Sequence, residues 1–154
     1  MIKLKSDLTI TLSNQTWECD LHLGMYANST RPCLVLIDKT SGEPVAKATV
    51  NPPPGYLMGF QSECFCWKDW SENEGLQAQL QDLVGGDGLP LFLPVRRKDG
   101  TTFALTLGQC KSQVYALNGV AFNEYMILRE NFHEAHNRSA EEPFCPSHKS
   151  VFKE

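Results

Sequence analysis

The chain has 154 residues, 42% of them hydrophobic and 21% charged, a composition typical of a globular protein and not of a disordered chain. Its length fits one domain, since compact domains usually hold about 100–150 residues. No apolar run approaches the roughly 20 residues that cross a bilayer, so we expect no membrane span. The net charge of −4 argues against nucleic acid as a partner, because binding to phosphates depends on Lys and Arg.

The N-terminus lacks the long apolar stretch of a signal peptide. We therefore expect a cytoplasmic protein whose cysteines stay reduced. Cys19, Cys33, Cys64 and Cys66 lie in strand-like apolar segments and are predicted to pack in the core. Cys64 and Cys66 form a Cys-x-Cys pair, which places both thiols on one face of an extended strand.

The first half of the chain is predicted to form strands. Apolar residues occupy every second position in 8–12 and 17–23, which indicates a hairpin with one buried face. Residues 33–37 form a continuous apolar run, consistent with a central strand, and 45–50 form the strand that returns. The prolines of 51–55 then require a non-helical connection.

One amphipathic helix is predicted over 72–84. Ser71 and Glu74 have the spacing of a capping box, with Ser at the N-cap and Glu three residues later. Gly85-Gly86 would end the helix, since glycine accepts the left-handed conformation found there. The apolar stripe that would face the sheet consists of Leu76, Leu80, Leu83 and Val84.

Two hairpins are predicted in the second half. Residues 89–95 and 102–107 flank a glycine-containing turn at 98–100. Residues 113–117 and the segment from Val120 onward flank Asn118-Gly119, a dipeptide typical of tight hairpin turns.

The C-terminal part is less distinct. Residues 124–138 fit either a helix or a strand, and 139–154 are predicted to be a polar tail beyond a single domain of 1–138. The predicted class is α+β: a largely antiparallel sheet carries the helix of 72–84 on one face. If 124–138 are helical, they supply a second short helix near the C-terminus.

Histidine and cysteine residues near the C-terminus have spacings found in metal sites. Imidazole and thiolate groups are good zinc ligands, and pairs three residues apart can reach one ion. The alternative is a polar tail in which histidines occur by chance. The candidate zinc ligands are His133, His136, Cys145 and His148.

Tryptophans and acidic residues cluster ahead of the predicted helix. Trp67 and Trp70 would face opposite sides of an extended strand, so we expect one in the core and the other semi-exposed. A surface tryptophan beside acidic residues is typical of a protein-binding anchor. Three alternatives remain, namely a tryptophan that covers the end of the core, general acid-base chemistry at these carboxylates, or acidic residues that favour a helix N-terminus. The predicted binding surface is Trp67, Asp69, Trp70 and Glu72.

Six strings in the first half of the chain are distinctive: WECDL (17–21), YAN (26–28), LVLID (34–38), GEP (42–44), ATVN (48–51) and KDWSENEG (68–75). Together they resemble a family of small uncharacterised proteins carried mainly by bacterial conjugative elements, plasmids and phages. The resemblance covers about Thr9 to Leu83, and the chain departs from the family at an insertion over 52–60 and in a longer C-terminal half from Gly86 onward. The resemblance implies an accessory protein of a mobile element in a bacterial cytoplasm, and it carries over no catalytic residues.

The leading hypothesis is therefore a non-enzymatic protein that binds, and inhibits, a host protein such as a defence or regulatory factor. The alternatives are a zinc-binding module or metal-dependent enzyme that uses the C-terminal His/Cys cluster, or a protein that sequesters a small ligand.

Overall fold

The computed structural model describes the backbone of residues 1–108 and 110–141, and the side chains of 1–108 and 111–135. All strand pairs in this part of the chain are antiparallel. The described strands, numbered along the chain, are β1 (Ile2–Leu12), β2 (Gln15–Met25), β3 (Pro32–Asp38), β4 (Pro44–Lys47), β5 (Thr49–Val50), β6 (Cys64–Trp67), β7 (Phe92–Pro94), β8 (Ala104–Leu107) and β9 (Cys110–Leu117).

Two α-helices complete the described part of the chain, α1 (Leu76–Leu80) and α2 (Gly119–Glu141), together with 3-10 turns at Ser71–Asn73 and Gly86–Gly88. The fold is thus α+β with antiparallel sheets, as the sequence predicts. Neither of these helices combines the length and the apolar character that a membrane crossing requires.

The first four strands form a sheet in the order β1-β2-β3-β4. Ser13 and Asn14 both have positive φ (53° and 63°) and link β1 to β2 in a tight two-residue turn. The predicted apolar face is confirmed, since Cys19, Leu21 and Leu23 are fully buried. On the other face Glu18 is exposed as expected, whereas Asp20 is only 8% exposed, where it accepts the N–H of Asp7 and pairs with Lys3. The run at 33–37 lies in β3, an interior strand of this sheet, as predicted.

A second sheet, in the order β5-β6-β9-β7, is built around β9. One side of β9 pairs with β6. On the other side, β7 and β8 lie end to end along the same edge of β9. Val114 of β9 marks the junction, because it accepts a hydrogen bond from the N–H of Val95 and donates one to the carbonyl of Phe103. Strands β7 and β8 therefore pair with β9 and not with each other, so the predicted hairpin of 89–95 with 102–107 is reduced to the tip around the Arg96–Thr102 bridge.

The main core lies between the two sheets and the helices. It contains the fully buried residues of β2 and β3, the aromatic residues Phe65, Trp67 and Phe92, and Leu76, Leu80 and Tyr125 from the two helices. A smaller apolar cluster covers the opposite face of the second sheet, and Cys64 and Cys66 belong to it together with Leu57 and Val114. The predicted core packing of these thiols on one strand face is confirmed.

The helix predicted over 72–84 is much shorter than expected. Glu74 has φ −54° and ψ 126°, and Gly75 has φ 80°, so the 3-10 turn and α1 are separate elements and the capping box does not form. Only Leu76 and Leu80 of the predicted stripe are fully buried, whereas Val84 is 45% exposed. The chain leaves the helix at Gln81, ahead of the glycines that we expected to end it.

The hairpin predicted at Asn118-Gly119 is wrong, because Gly119 begins α2. Asn118 accepts the N–H of Phe122 and so provides the first helical hydrogen bond. Both sides of β9 are already paired, so the segment from Val120 onward has no free strand edge to join. The ambiguous segment 124–138 is helical, and α2 continues to Glu141, past the predicted domain boundary at 138.

Candidate functional site

The predicted binding surface falls on the turn that follows β6, residues 68–75, which we call the Trp70 turn. Strand β6 ends at Trp67, and the N–H of Lys68 still donates to the carbonyl of Ala48 at 2.8 Å. The 3-10 turn then brings the chain back to β4, where the buried Asn73 amide donates to the carbonyl of Lys47 at 2.8 Å. A backbone hydrogen bond at Lys68 and a side-chain hydrogen bond from Asn73 thus attach the turn to the sheets.

Trp70 stands at the outer surface of this turn with 40% of its area exposed. The Lys68 ammonium lies 4.8 Å from the centre of the Trp70 ring, a cation–π contact. The same ammonium pairs with the Glu72 carboxylate at 3.2 Å. Lys68 therefore contacts the indole and the carboxylate at the same time, which restricts these side chains and lowers the entropy they would lose when a partner binds.

The acidic residues of the turn are exposed, but they do not converge on one point. Glu72 borders a depression of about 200 Å³ that Trp17, Val45 and Asn73 also line. Asp69 borders a separate depression of about 290 Å³ next to α1. Asp69 and Glu72 thus line different depressions, and the structure does not bring the two residues together in one pocket.

Trp67 does not belong to this surface, contrary to the sequence prediction. Its side chain is 1% exposed and packs edge-to-face against Phe65, Phe92 and Tyr115 with ring centres 5.2, 5.3 and 5.6 Å away. The expectation that one tryptophan is core and the other semi-exposed is nevertheless confirmed. The candidate surface is reduced to Asp69, Trp70 and Glu72.

Of the four candidate zinc ligands, only the side chain of His133 lies within the described residues. It is exposed on α2, with its ring centre 5.8 Å from that of Phe132. The side chain of His136, and all of Cys145 and His148, lie outside the described residues. Within the described part of the chain, no three His, Cys, Asp or Glu residues are placed to hold a metal ion.

The buried cysteines have the chemistry of core residues. Burial raises the pKa of Cys64 and of Cys66 to about 11, because a thiolate is poorly solvated inside the protein. Cys66 is fully buried and Cys64 is 4% exposed. Reactive cysteines need the opposite conditions, a lowered pKa and solvent access.

Sequence reasoning missed the part that Lys68 plays. The four-residue spacing between Lys68 and Glu72 was a usable signal, since oppositely charged residues at this spacing often pair. Trp17 was assigned only to a hairpin strand, and no local signal places it beside Glu72. That neighbourhood arises from the return of the chain to β4, which is a tertiary contact.

No protein-family model matches this chain, and no curated protein or solved structure matches it either. The resemblance to small proteins of conjugative elements, plasmids and phages therefore remains a prediction from the quoted strings.

Proposed function

We propose that this protein is a non-catalytic binding protein of a mobile element or phage that occupies the surface of a host protein through Asp69, Trp70 and Glu72. The observation that carries the proposal is the exposed Trp70 indole, held 4.8 Å from the Lys68 ammonium. Tryptophan is enriched among the residues that dominate protein–protein binding energies. A fixed, half-exposed indole provides a large apolar contact at low entropic cost.

The surroundings of Trp70 indicate the character of the partner. Asp69, Glu72 and Glu74 are exposed in the same turn as the indole, and the chain as a whole has a net charge of −4. Acidic groups at the edge of an interface attract a basic patch and mainly accelerate association. The proposed partner therefore carries a basic rim around an apolar pocket that accepts the indole.

Affinity capture from bacterial host cytosol, with native mass spectrometry of the captured species, tests this function. We expect a stoichiometric protein partner with the wild-type chain. Trp70→Ala should reduce capture by at least about tenfold, the effect of removing an interface anchor worth more than about 1.4 kcal/mol. Glu72→Gln should reduce it less, because charges at an interface edge are worth about 1 kcal/mol or less.

Matched controls separate this surface from general effects on solubility. Ile127 is 50% exposed on α2, so Ile127→Ala removes a comparable exposed apolar side chain elsewhere. Glu43→Gln removes an exposed carboxylate near β4. Equal capture by Trp70→Ala, Glu72→Gln and both controls would reject the surface. A zinc adduct or a retained metabolite, with no protein captured, would favour the alternative functions instead.

A further inference from the structure

A second surface, separate from the Trp70 turn, lies on the far side of the five-stranded sheet. The connection 51–63 crosses this face between β5 and β6. Leu57 anchors it in the smaller apolar cluster and is 4% exposed, whereas the next residue, Met58, is 83% exposed. The chain therefore presents a large, flexible apolar side chain to solvent from a loop that is itself anchored.

Hydrogen bonds hold the backbone of this loop from beneath. Arg31 donates through Nη1 to the carbonyl of Gln61 at 2.7 Å and through Nη2 to the carbonyl of Leu57 at 2.9 Å. The hydroxyl of Tyr125, on α2, lies 2.9 Å from the carbonyl of Ser62. With its backbone fixed in this way, the loop loses little further entropy when Met58 contacts a ligand.

Beside Met58 lies an apolar groove of about 400 Å³. Phe60 and Phe103 meet edge-to-face in its wall, with ring centres 5.0 Å apart. Methionine adapts its shape to different apolar groups, a property of surfaces that accept varied side chains. The residues that line the groove are Met58, Gly59, Phe60, Gln61, Cys64, Val95 and Phe103.

Two residues of the groove wall, Val95 and Phe103, belong to the hairpin that carries the densest basic cluster in the chain, Arg96, Arg97 and Lys98. All of them are exposed, and the Arg97 guanidinium carbon lies 4.5 Å from the centre of the Phe103 ring. The neighbouring Asp99 carboxylate is engaged within the hairpin tip, where it accepts the N–H and hydroxyl of Thr101 at 2.9 and 2.7 Å. The tip keeps three basic residues against this one carboxylate, so it is positive overall and adjoins the apolar groove at Arg97, in a protein whose net charge is negative.

From this juxtaposition we propose that the groove binds an acidic peptide segment that inserts a bulky apolar side chain between Met58 and Phe103. The carboxylates of the segment pair with Arg97, whose guanidinium lies against the Phe103 wall of the groove, and with the exposed Lys98 that follows it in the hairpin tip. A single-stranded nucleic acid fits less well, because its bases need an open aromatic face and Arg97 already lies against the ring of Phe103. The proposal does not depend on the Trp70 turn.

The probe is a short peptide in which glutamates and aspartates flank a central phenylalanine between two leucines. Binding is followed by NMR through the methionine methyl groups, of which the chain has four. We expect the Met58 methyl resonance to shift on titration while those of Met25 and Met126, which pack against the core, stay in place. An unchanged Met58 resonance overturns the proposal.

Control ligands distinguish the two parts of the recognition. A peptide with serines in place of the apolar centre keeps the charge, and a peptide with glutamines in place of the acids keeps the apolar centre. Both should bind at least about tenfold more weakly than the probe, which corresponds to about 1.4 kcal/mol. Equal binding of either control, or tighter binding of single-stranded oligothymidylate, contradicts an acidic peptide as the ligand.

Protein variants locate the site. Met58→Asp should weaken binding of the probe by about tenfold, as expected for an interface anchor, and Lys98→Glu by up to about fivefold. Lys39→Glu makes the same change of net charge at the exposed turn after β3, and it should leave affinity within about twofold. If Lys39→Glu weakens binding as much as Lys98→Glu, the peptide responds only to the overall charge of the protein and the site is rejected.

Trp70→Ala tests whether the two proposed surfaces are independent. It should leave probe binding unchanged, so a failure of the groove can be distinguished from a failure of the proposed host-binding surface.

Discussion

Trp67 and Trp70 are three positions apart and have opposite environments. Trp67 is 1% exposed in a cluster of aromatic rings, and Trp70 is 40% exposed with a lysine ammonium over its ring. Both residues are tryptophans, so residue type cannot explain the difference in exposure. The difference is explained by position: Trp67 is the last residue of strand β6, and Trp70 lies beyond the end of that strand.

The backbone explains the change between the two residues. Trp67 is opposite Thr49 in the β5–β6 ladder, and the Lys68 N–H makes the last backbone bond to this region, at the carbonyl of Ala48. From Asp69 onward the chain has left the sheet. Trp70 therefore lies outside the strand ladder, and the Lys68 ammonium lies 4.8 Å from the centre of its ring.

The largest predicted effect is on the core side of this comparison. Trp67→Ala should lower the free energy of unfolding by about 3–5 kcal/mol, because it opens a cavity among packed rings. Trp67→Phe should cost less than half as much. It keeps an aromatic ring and removes the indole N–H, which is buried with no hydrogen-bond partner among the described residues. Urea denaturation measured by circular dichroism gives both values.

Trp70→Ala is the matched control for Trp67→Ala in the same urea denaturation experiment. It removes the same side chain from the exposed turn and should cost less than about 1 kcal/mol, as is usual at surface positions. A cost equal to that of Trp67→Ala would mean that Trp70 is part of the core. The comparison between the two tryptophans would then fail, and with it the case for a binding anchor.

The strand half of the fold could be predicted from sequence because its signals are local. Alternation in 17–23 identifies the buried face of β2, and the Cys-x-Cys pair identifies the face of β6 that carries both thiols. Each of these depends only on the two-residue period of a strand.

The helices could not be predicted in the same way, because two local signals were overruled. Ser71 and Glu74 match a capping box, yet Gly75 at φ 80° separates the 3-10 turn from α1. Asn118-Gly119 matches a hairpin turn, yet β9 has partners on both sides and the chain continues as a helix. Whether a strand edge is free is a property of the whole sheet and is not visible in a short window.

The candidate site was predicted in part. Asp69, Trp70 and Glu72 are exposed as a binding surface requires, whereas Trp67 is not. Alternation alone indicated that one tryptophan would be buried, but it could not tell which one. That choice depends on where β6 ends and on the rings of Phe92 and Tyr115, which come from β7 and β9.

A chemical probe sharpens the comparison at the strand that carries Trp67. Burial raises the pKa of Cys64 and Cys66 from 9.0 to about 11, so at pH 8 their thiolate fraction is about a hundredfold below that of the unfolded chain. Alkylation by iodoacetamide, located by peptide mass spectrometry, should be slower by at least this factor in the native protein than in urea. Equal rates in the two conditions would show that β6 is not buried.

The smallest predicted effect concerns the contact that fixes the Trp70 turn. Lys68→Met keeps the apolar stem of the side chain and removes the ammonium, so it should change the free energy of unfolding by less than about 1 kcal/mol, the usual range for an exposed ion pair. The Lys68 side chain is 19% exposed and the Glu72 side chain 61%, so solvent reaches the pair on its carboxylate side and it falls in this weak class. Quenching of Trp70 fluorescence by acrylamide should increase, since the indole loses the cation over its ring and becomes more accessible.

The control is Glu43→Gln, at an exposed carboxylate elsewhere, which should change neither the free energy of unfolding nor the quenching. A loss above about 2 kcal/mol on Lys68→Met would show that the turn stabilises the fold as the core does, and that Lys68 is not there chiefly to position the indole.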